Sequence, residues 1–404
     1  KTFNSQIKPE GNVNYSVAAL STLNIVGESF VGGGGNFTVN GTLRLGSLAP
    51  SGALQTGGLA GNVRITGART YVAGATIVYA GVGPQFIGNG FPSGADINLT
   101  VDNPSGVTLS TSLDIVAFRQ LNLAQGNIVI GTQTLTINGQ VTGSGGIIGG
   151  PDSKMIIGGT GDFGTLTFNG TSELKDLTIN RTGSGVVTLG GDLRILGTLT
   201  HTNGTLVVGS NTLRISGNYE PASPGPMSVT SESVVLIDGE GSLPSDVSFS
   251  GTDLGTLTMD RANATFPTSS SIAIHNLNLY AGIVDNGSGL AIAANGTIRR
   301  RGGNSPGSMT TSPNNTTVAY NVVYEDGAMT TGPELPSNST ALQNLTKSGT
   351  GQLTLGSDIT VNGTLALNNG SFAAGSNAIN LKGNFASNAA STLTGSIVTF
   401  SGTT

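Results

Sequence analysis

The segment Val187-Thr188-Leu189-Gly190-Gly191-Asp192-Leu193-Arg194-Ile195-Leu196-Gly197-Thr198-Leu199 aligns without a gap to Leu353-Thr354-Leu355-Gly356-Ser357-Asp358-Ile359-Thr360-Val361-Asn362-Gly363-Thr364-Leu365. Downstream, Gly209-Ser210-Asn211-Thr212-Leu213 matches Gly375-Ser376-Asn377-Ala378-Ile379, and Ile215-Ser216-Gly217-Asn218 matches Leu381-Lys382-Gly383-Asn384. A closing phrase recurs at Phe168-Asn169-Gly170-Thr171, Phe249-Ser250-Gly251-Thr252 and Phe400-Ser401-Gly402-Thr403. Self-similarity of this kind is the signature of a repeat architecture.

Working outward, the phrases divide the chain into a divergent stretch, 1–95, and four units, 96–172, 173–253, 254–341 and 342–404. They open near Asp96, Glu173, Leu254 and Leu342. A spacing of roughly 80–90 residues is too long for one stacked layer, since most repeats are ~20–50 residues. A finer period of about 20 residues inside each unit is the candidate turn. In the last unit one turn runs from Leu342 to Thr360 and the next from Val361 to Asn380.

Within a turn the chemistry is that of short strands. Leu135 to Ile137, Leu213 to Ile215 and Leu277 to Leu279 alternate aliphatic and polar residues, which places the aliphatics on one face. The runs stop at Asn-Gly pairs such as Asn40-Gly41, Asn138-Gly139, Asn203-Gly204 and Asn362-Gly363, residues that tolerate the positive φ of a sharp corner. The expected fold is therefore all-β, a right-handed parallel β-solenoid (β-helix) with turns of about 20 residues. About twenty turns would make a rod on the order of 100 Å long. Asn-Gly is also a strong hairpin signal, so tandem β-sandwich domains are the alternative. The corners fall at the same point of successive repeats and no long Greek-key return exists, which favours the solenoid.

Composition narrows the function. The chain has 404 residues, 64 of them glycine, no cysteine and no tryptophan, and only 10% are charged. Without cysteine there is no disulfide framework, thiolate zinc site or cysteine nucleophile. A net charge of −5 offers little to a polyanion, so no nucleic-acid partner is expected. No apolar run reaches the ~18–20 residues of a membrane span. The last phrase, Phe400 to Thr404, elsewhere leads into another unit, so the native chain is expected to continue or another chain to stack there.

The repeat phrases from about Asp96 onward resemble the very large β-strand-repeat surface proteins of Bacteroidota, among them gliding and biofilm adhesins exported by the type IX secretion system. The resemblance covers roughly three quarters of the chain. It implies an extracellular or cell-surface location and a role in adhesion or matrix building. The family's C-terminal sorting domain is not present, and no functional residue carries over, because the shared positions are turns and core.

Candidate sites are few. Gly159-Thr160-Gly161-Asp162-Phe163-Gly164 has dinucleotide-binding spacing, but Thr165 to Phe168 reads as a strand where the fingerprint needs a helix. It also partly fits the calcium nonapeptide, with Asp162 one position early and no second copy. The nearest acid groupings, Asp238 with Glu240, Glu325 with Asp326 and Asp246 with Asp253, are expected to be solvated loop acids rather than the paired carboxylates of a polysaccharide-cleaving β-helix. His201 and His275, the only histidines, are expected to be ordinary surface or ladder residues.

Arg299-Arg300-Arg301 is the only basic run and is expected on a protruding loop, with Tyr320, Tyr324, Phe86 and Phe91 in the less regular inserts where any binding surface would lie. Sequons such as Asn36, Asn98, Asn203 and Asn362 arise mostly from the Asn-Gly-Thr corner phrase. No catalytic, cofactor-binding or metal residue is assigned and no cofactor is expected. The expected function is a non-enzymatic extracellular structural or adhesive rod, a stalk segment of a large secreted cell-surface adhesin. The alternatives are a self-assembling subunit of an extracellular filament or sheath and, below that, a polysaccharide-degrading enzyme. The expected partners are further copies of the chain, end to end or side by side, and surface glycans.

Overall fold

The computed structural model describes every residue except 4–5, 8–10, 57–59, 93, 95, 111–114, 222–225, 288, 316–317, 337–339 and 403–404. Thr403 and Thr404 of the last closing phrase thus lie outside the described residues. The chain is all-β, with no helix among the described residues. Its parallel strands stack as a β-solenoid of about 17 turns, about 21 residues apart. The count falls below twenty because inserts lengthen some turns: Thr42 stacks directly on Thr76, 34 residues later, and between them the strand Val63–Ile65 pairs with Val31–Gly33.

Two compact units divide the chain, Lys1–Leu206 and Val207–Thr404. In the first, the inward column Leu23, Leu43, Ile77, Leu99, Leu121 and Val141 runs through strands paired in register. In the second, Leu213, Val235, Leu257, Leu277, Ile298, Val322, Leu345 and Leu365 form the equivalent column. All of these except Leu23 and Val141 are fully buried, and each such side chain contributes about 1.5–3 kcal/mol relative to exposure. The period-two pattern explains the alternation: Leu213 and Ile215 of Thr212–Ile215 point in, while Thr212 and Arg214 remain half-exposed.

Each corner interrupts the ladder and leaves backbone N–H groups that need acceptors. Asn and Asp side chains supply them. Asp176 Oδ1 accepts from Thr198 N (3.0 Å), Asn344 Oδ1 from Thr364 N (2.7 Å) and Asp358 Oδ1 from Ala378 N (2.7 Å), always one turn ahead. The Asn-Gly pairs divide into two kinds. At Asn203-Gly204 the glycine has φ +94°, the conformation expected of a corner. Gly139 has no positive φ; a Cβ there would lie 1.1 Å from the Arg119 carbonyl oxygen of the preceding turn. Its glycine is demanded by stacking, not by backbone conformation.

The longer repeat has a physical counterpart in buried polar side chains. Leu99-Thr100-Val101-Asp102, Leu177-Thr178-Ile179-Asn180 and Leu257-Thr258-Met259-Asp260 are each followed by a buried side chain, Asn103, Arg181 and Arg261. Arg181 donates to the carbonyls of Asn138 (3.0 Å), Gly139 (3.0 Å), Gly158, Thr160 (2.8 Å) and Gly161 (2.7 Å). Arg261 donates to Ile215 (3.0 Å), Gly217 (2.8 Å), Asp238 (2.7 Å) and Gly241 (3.0 Å). Both guanidinium groups reach back across two preceding turns. Burial lowers both pKa values, partly offset by Asp162 for Arg181 and by Asp238 for Arg261. Asn103 makes a smaller version, donating to Gly83 O at 2.9 Å and Gln85 Oε1 at 3.0 Å. In the fourth unit Lys347, two positions earlier in the phrase, donates to the carbonyls of Gly349 and Thr350.

Replacing Arg261 by Met removes the donors and strands several buried carbonyls, so stability should fall by about 3 kcal/mol or more. Arg261→Lys should recover less than half, because an ammonium cannot fork across two turns. Urea unfolding, with hydrogen exchange read at Val234–Asp238 and Asp253–Pro267, checks both. Wild-type protection in Arg261→Met would show that the clamp contributes little.

Candidate functional site

Beside the first column of the second unit runs another inward column. It begins with aliphatic side chains, Ile215, Ile237, Met259 and Leu279, then continues as Arg300, Tyr324 and Lys347 before returning to Leu367. Three successive turns thus place polar groups where packing calls for apolar ones. The insert after Met329–Thr330 supplies the counter-charge through Glu334, which is fully buried. Glu334 Oε1 accepts from Arg300 Nη1 (2.6 Å), Tyr324 OH (2.5 Å) and Gly332 N (2.7 Å). The Tyr320 hydroxyl donates to the Glu334 backbone carbonyl at 3.0 Å, and Arg300 Nε to Gly307 O at 2.7 Å. Glu334 Oε2 is buried with no partner among the described residues, a position suited to one ordered water.

Burial, and then the neighbouring Glu334 carboxylate, hold the Tyr324 and Tyr320 hydroxyls protonated well above the usual phenol range. The cluster is sealed, with Arg300 and Glu334 side chains 6% and 0% exposed. No substrate-sized molecule can reach it, and its chemistry is that of an internal tie between the insert and the coil.

These positions differ from the sequence expectation. Arg299-Arg300-Arg301 is not a protruding loop: Arg299 and Arg300 end the strand Leu290–Arg300, and alternation sends Arg300 inward. Arg299 and Arg301 stay partly exposed, each 3.7 Å from Glu325, and Arg301 lies over the Tyr280 ring at 3.9 Å. Tyr320 and Tyr324 bound the regular strand Tyr320–Tyr324 rather than an insert, and both are fully buried. Sequence reasoning missed Glu334 altogether. The available signal was the run Arg300, Tyr324 and Lys347 at core positions of the period, which demands a carboxylate nearby.

The other singled-out residues are held apart. Gly159-Thr160-Gly161-Asp162-Phe163-Gly164 leads into the strand Gly164–Leu166, so no helix N-terminus is there for a phosphate. Asp162 accepts a backbone hydrogen bond from Val186 N at 3.2 Å. Asp238 is engaged by Arg214 and, at 2.6 Å, by Ser216, and Asp246 by Ser269. Asp238 ends the strand Val234–Asp238 and is not a solvated loop acid, whereas Asp246 lies in a loop and its bonds to Ser269 are exposed. Asp253 lies 3.5 Å from His275 Nε2. His201 stacks on Ile179 in the core, fully buried, with Nε2 3.0 Å from Gly204 O; burial lowers its pKa. Among the described residues no three His, Asp or Glu side chains come together as a metal site would require.

An accessible concavity exists in the first unit. The insert after Gly46 folds back and pairs with the turn below it, Ala53 N donating to Phe86 O (3.0 Å) and Gly90 N to Leu54 O (2.9 Å). Gly52 and Gly88 permit this approach, since a Cβ on Gly52 would lie 2.1 Å from Gly88 Cα. The insert becomes one wall of a half-open groove of about 420 Å3. Its floor is the outer face of three stacked turns, with Phe86 over Thr108 and then Thr132 and Gln133. Ser51, Gln55 and Asn89 form the rim.

No protein-family profile, curated protein or solved structure matches the chain.

The buried cluster generates two measurable outcomes. Glu334→Leu, which leaves the Arg300 charge unpaired, should cost about 3–5 kcal/mol, whereas Arg300→Met with Glu334→Leu should cost clearly less than the sum of the single changes. Equilibrium unfolding of the four species measures the difference, and additive losses would exclude the pairing. The buried tyrosines also set an alkaline limit. Burial raises Tyr219 to about 12 and Tyr324 well above the unfolded value of 10.0. Their contribution is complete below that value and is lost as pH climbs past it. Unfolding free energy should therefore be level up to about pH 9 and fall beyond about pH 10; Tyr324→Phe should flatten the fall.

Proposed function

We propose that this chain is a non-enzymatic structural segment, a stalk portion of a large extracellular cell-surface adhesin that holds a binding element away from the cell. The observation that carries this reading is how its charged side chains are spent. Arg181, Arg261, Arg300 and Lys347 are buried and bound to backbone carbonyls or to Glu334. The outward pairs Arg194–Glu173 (3.1 Å) and Lys154–Asp176 (3.2 Å) join one turn to the next. Charge here ties turns together, which is the demand on a spacer rather than on a reaction centre.

A spacer needs repetition, because every added turn extends reach by the inter-strand distance of about 4.8 Å without a new core design. It also needs a surface that does not aggregate. The Asn, Thr and Ser rows outside the coil meet that need, as Asn344 to Asn321 (2.7 Å) and Asn278 to Thr258 (2.9 Å) illustrate by bonding along the stack.

Immunogold labelling of intact source cells, with antibodies raised against residues 173–253, tests the proposal. Label should stand off the outer surface, and deleting the coding region should reduce attachment to surfaces. Label confined to the cytoplasm, or unchanged attachment after deletion, would reject it.

A further inference from the structure

We infer that the groove walled by the Gly46 insert is a binding site for a neutral carbohydrate, with Phe86 as its stacking platform. The lining itself argues for the class of ligand. Among the described residues none that lines the groove is charged, so an anionic or cationic ligand finds no counter-charge from them. Phe86 is half-exposed at the end of the strand Gln85–Phe86 and offers one apolar ring face.

Around that ring stand polar groups with unused capacity. Asn89 Oδ1 accepts from Thr56 N at 3.0 Å, which fixes the amide and leaves both Nδ2 protons without an acceptor among the described residues. Gln55 Nε2 donates to Ser51 Oγ and to Gly52 O (3.2 Å), which leaves Oε1 without a donor among the described residues. Gln133 Nε2 donates to Thr132 Oγ1 at 3.1 Å, orienting that hydroxyl. The hydroxyl of Thr108, the residue paired with Phe86 in the stack, makes no hydrogen bond among the described residues.

Other ligand classes fit less well. A peptide adding as a strand would need open backbone groups, but those of the floor are taken: Ile87 N donates to Thr108 O (3.0 Å) and Leu109 N to Val129 O (2.9 Å). A purely apolar ligand would bury the Asn89 and Gln55 amides without partners. A pyranose presents what the groove complements, an apolar C–H face for the ring and a rim of hydroxyls that both donate and accept. The volume lies within the roughly 300–1,000 Å3 of small-molecule sites. The site does not depend on the stalk reading and would operate wherever the coil is displayed.

The test uses the full chain and saturation-transfer NMR with neutral oligosaccharide probes: β-linked and α-linked glucans, galactans and mannans of three to five sugars. An oligogalacturonate and a short neutral peptide serve as competitors. At least one neutral probe should receive saturation at its ring C–H protons, with a dissociation constant near or below about 1 mM. Phe86→Ala should abolish transfer. Asn89→Ala and the near-isosteric Thr108→Val should each weaken binding by up to about tenfold while circular dichroism stays unchanged. If Phe86→Ala does not fold, the two milder variants decide the matter. Absence of transfer to every neutral probe would overturn the assignment, as would binding that Asn89→Ala and Thr108→Val leave intact. Preference for oligogalacturonate would overturn the neutral class.

Discussion

In-register stacking of each turn on the turn before it is the constraint from which the rest of this structure follows. Once residue positions repeat about every 21 residues, every side chain belongs to a column, and its neighbours are the occupants of that column one turn away. An aliphatic column such as Leu213, Val235, Leu257 and Leu277 is then self-supporting. A polar residue in a column must be answered within one or two turns or be left unpaired in the interior. Arg181 and Arg261 are answered by backbone carbonyls, Arg300 and Tyr324 by Glu334.

The same constraint explains the two nested periods. The short one is the turn, set by how many residues enclose the apolar columns. The long one follows the buried clamps, because the phrase Leu-Thr-x-Asp/Asn followed by Asn103, Arg181 or Arg261 recurs in the first three units and Lys347 takes its place in the fourth. A clamp reaching across two turns has no use for another clamp on the adjacent turn, since those carbonyls are already engaged. Spaced several turns apart, the clamps distribute strong ties along the coil, and the intervening turns rest on aliphatic packing and on outward pairs such as Arg194–Glu173.

Much of this was legible in the sequence. Parallel stacking and the turn length followed from Leu-x-Ile alternation and from corners falling at equal intervals, since both are local in the chain. What sequence reasoning misplaced was set by contacts between turns. Gly139 reads like any Asn-Gly corner, yet it is required by the Arg119 carbonyl beneath it. Arg300 reads as part of a solvated basic run, and only its column position shows that it faces the core. Glu334 carries no local pattern at all, and its partner lies 34 residues earlier. The groove was anticipated only through Phe86, because its wall depends on a backbone approach at Gly52 and Gly88 that no composition reveals.

Single-molecule force spectroscopy on the full chain, held by its two ends, tests the clamp account most directly. Pulled in this way a solenoid peels turn by turn, each turn of about 21 residues releasing roughly 70 Å of contour. The account predicts that release arrests where Arg181 and Arg261 lie and that Arg261→Met removes the second arrest while leaving the first. A record of uniform steps with no arrest at either position, or one unchanged by Arg261→Met, would contradict it.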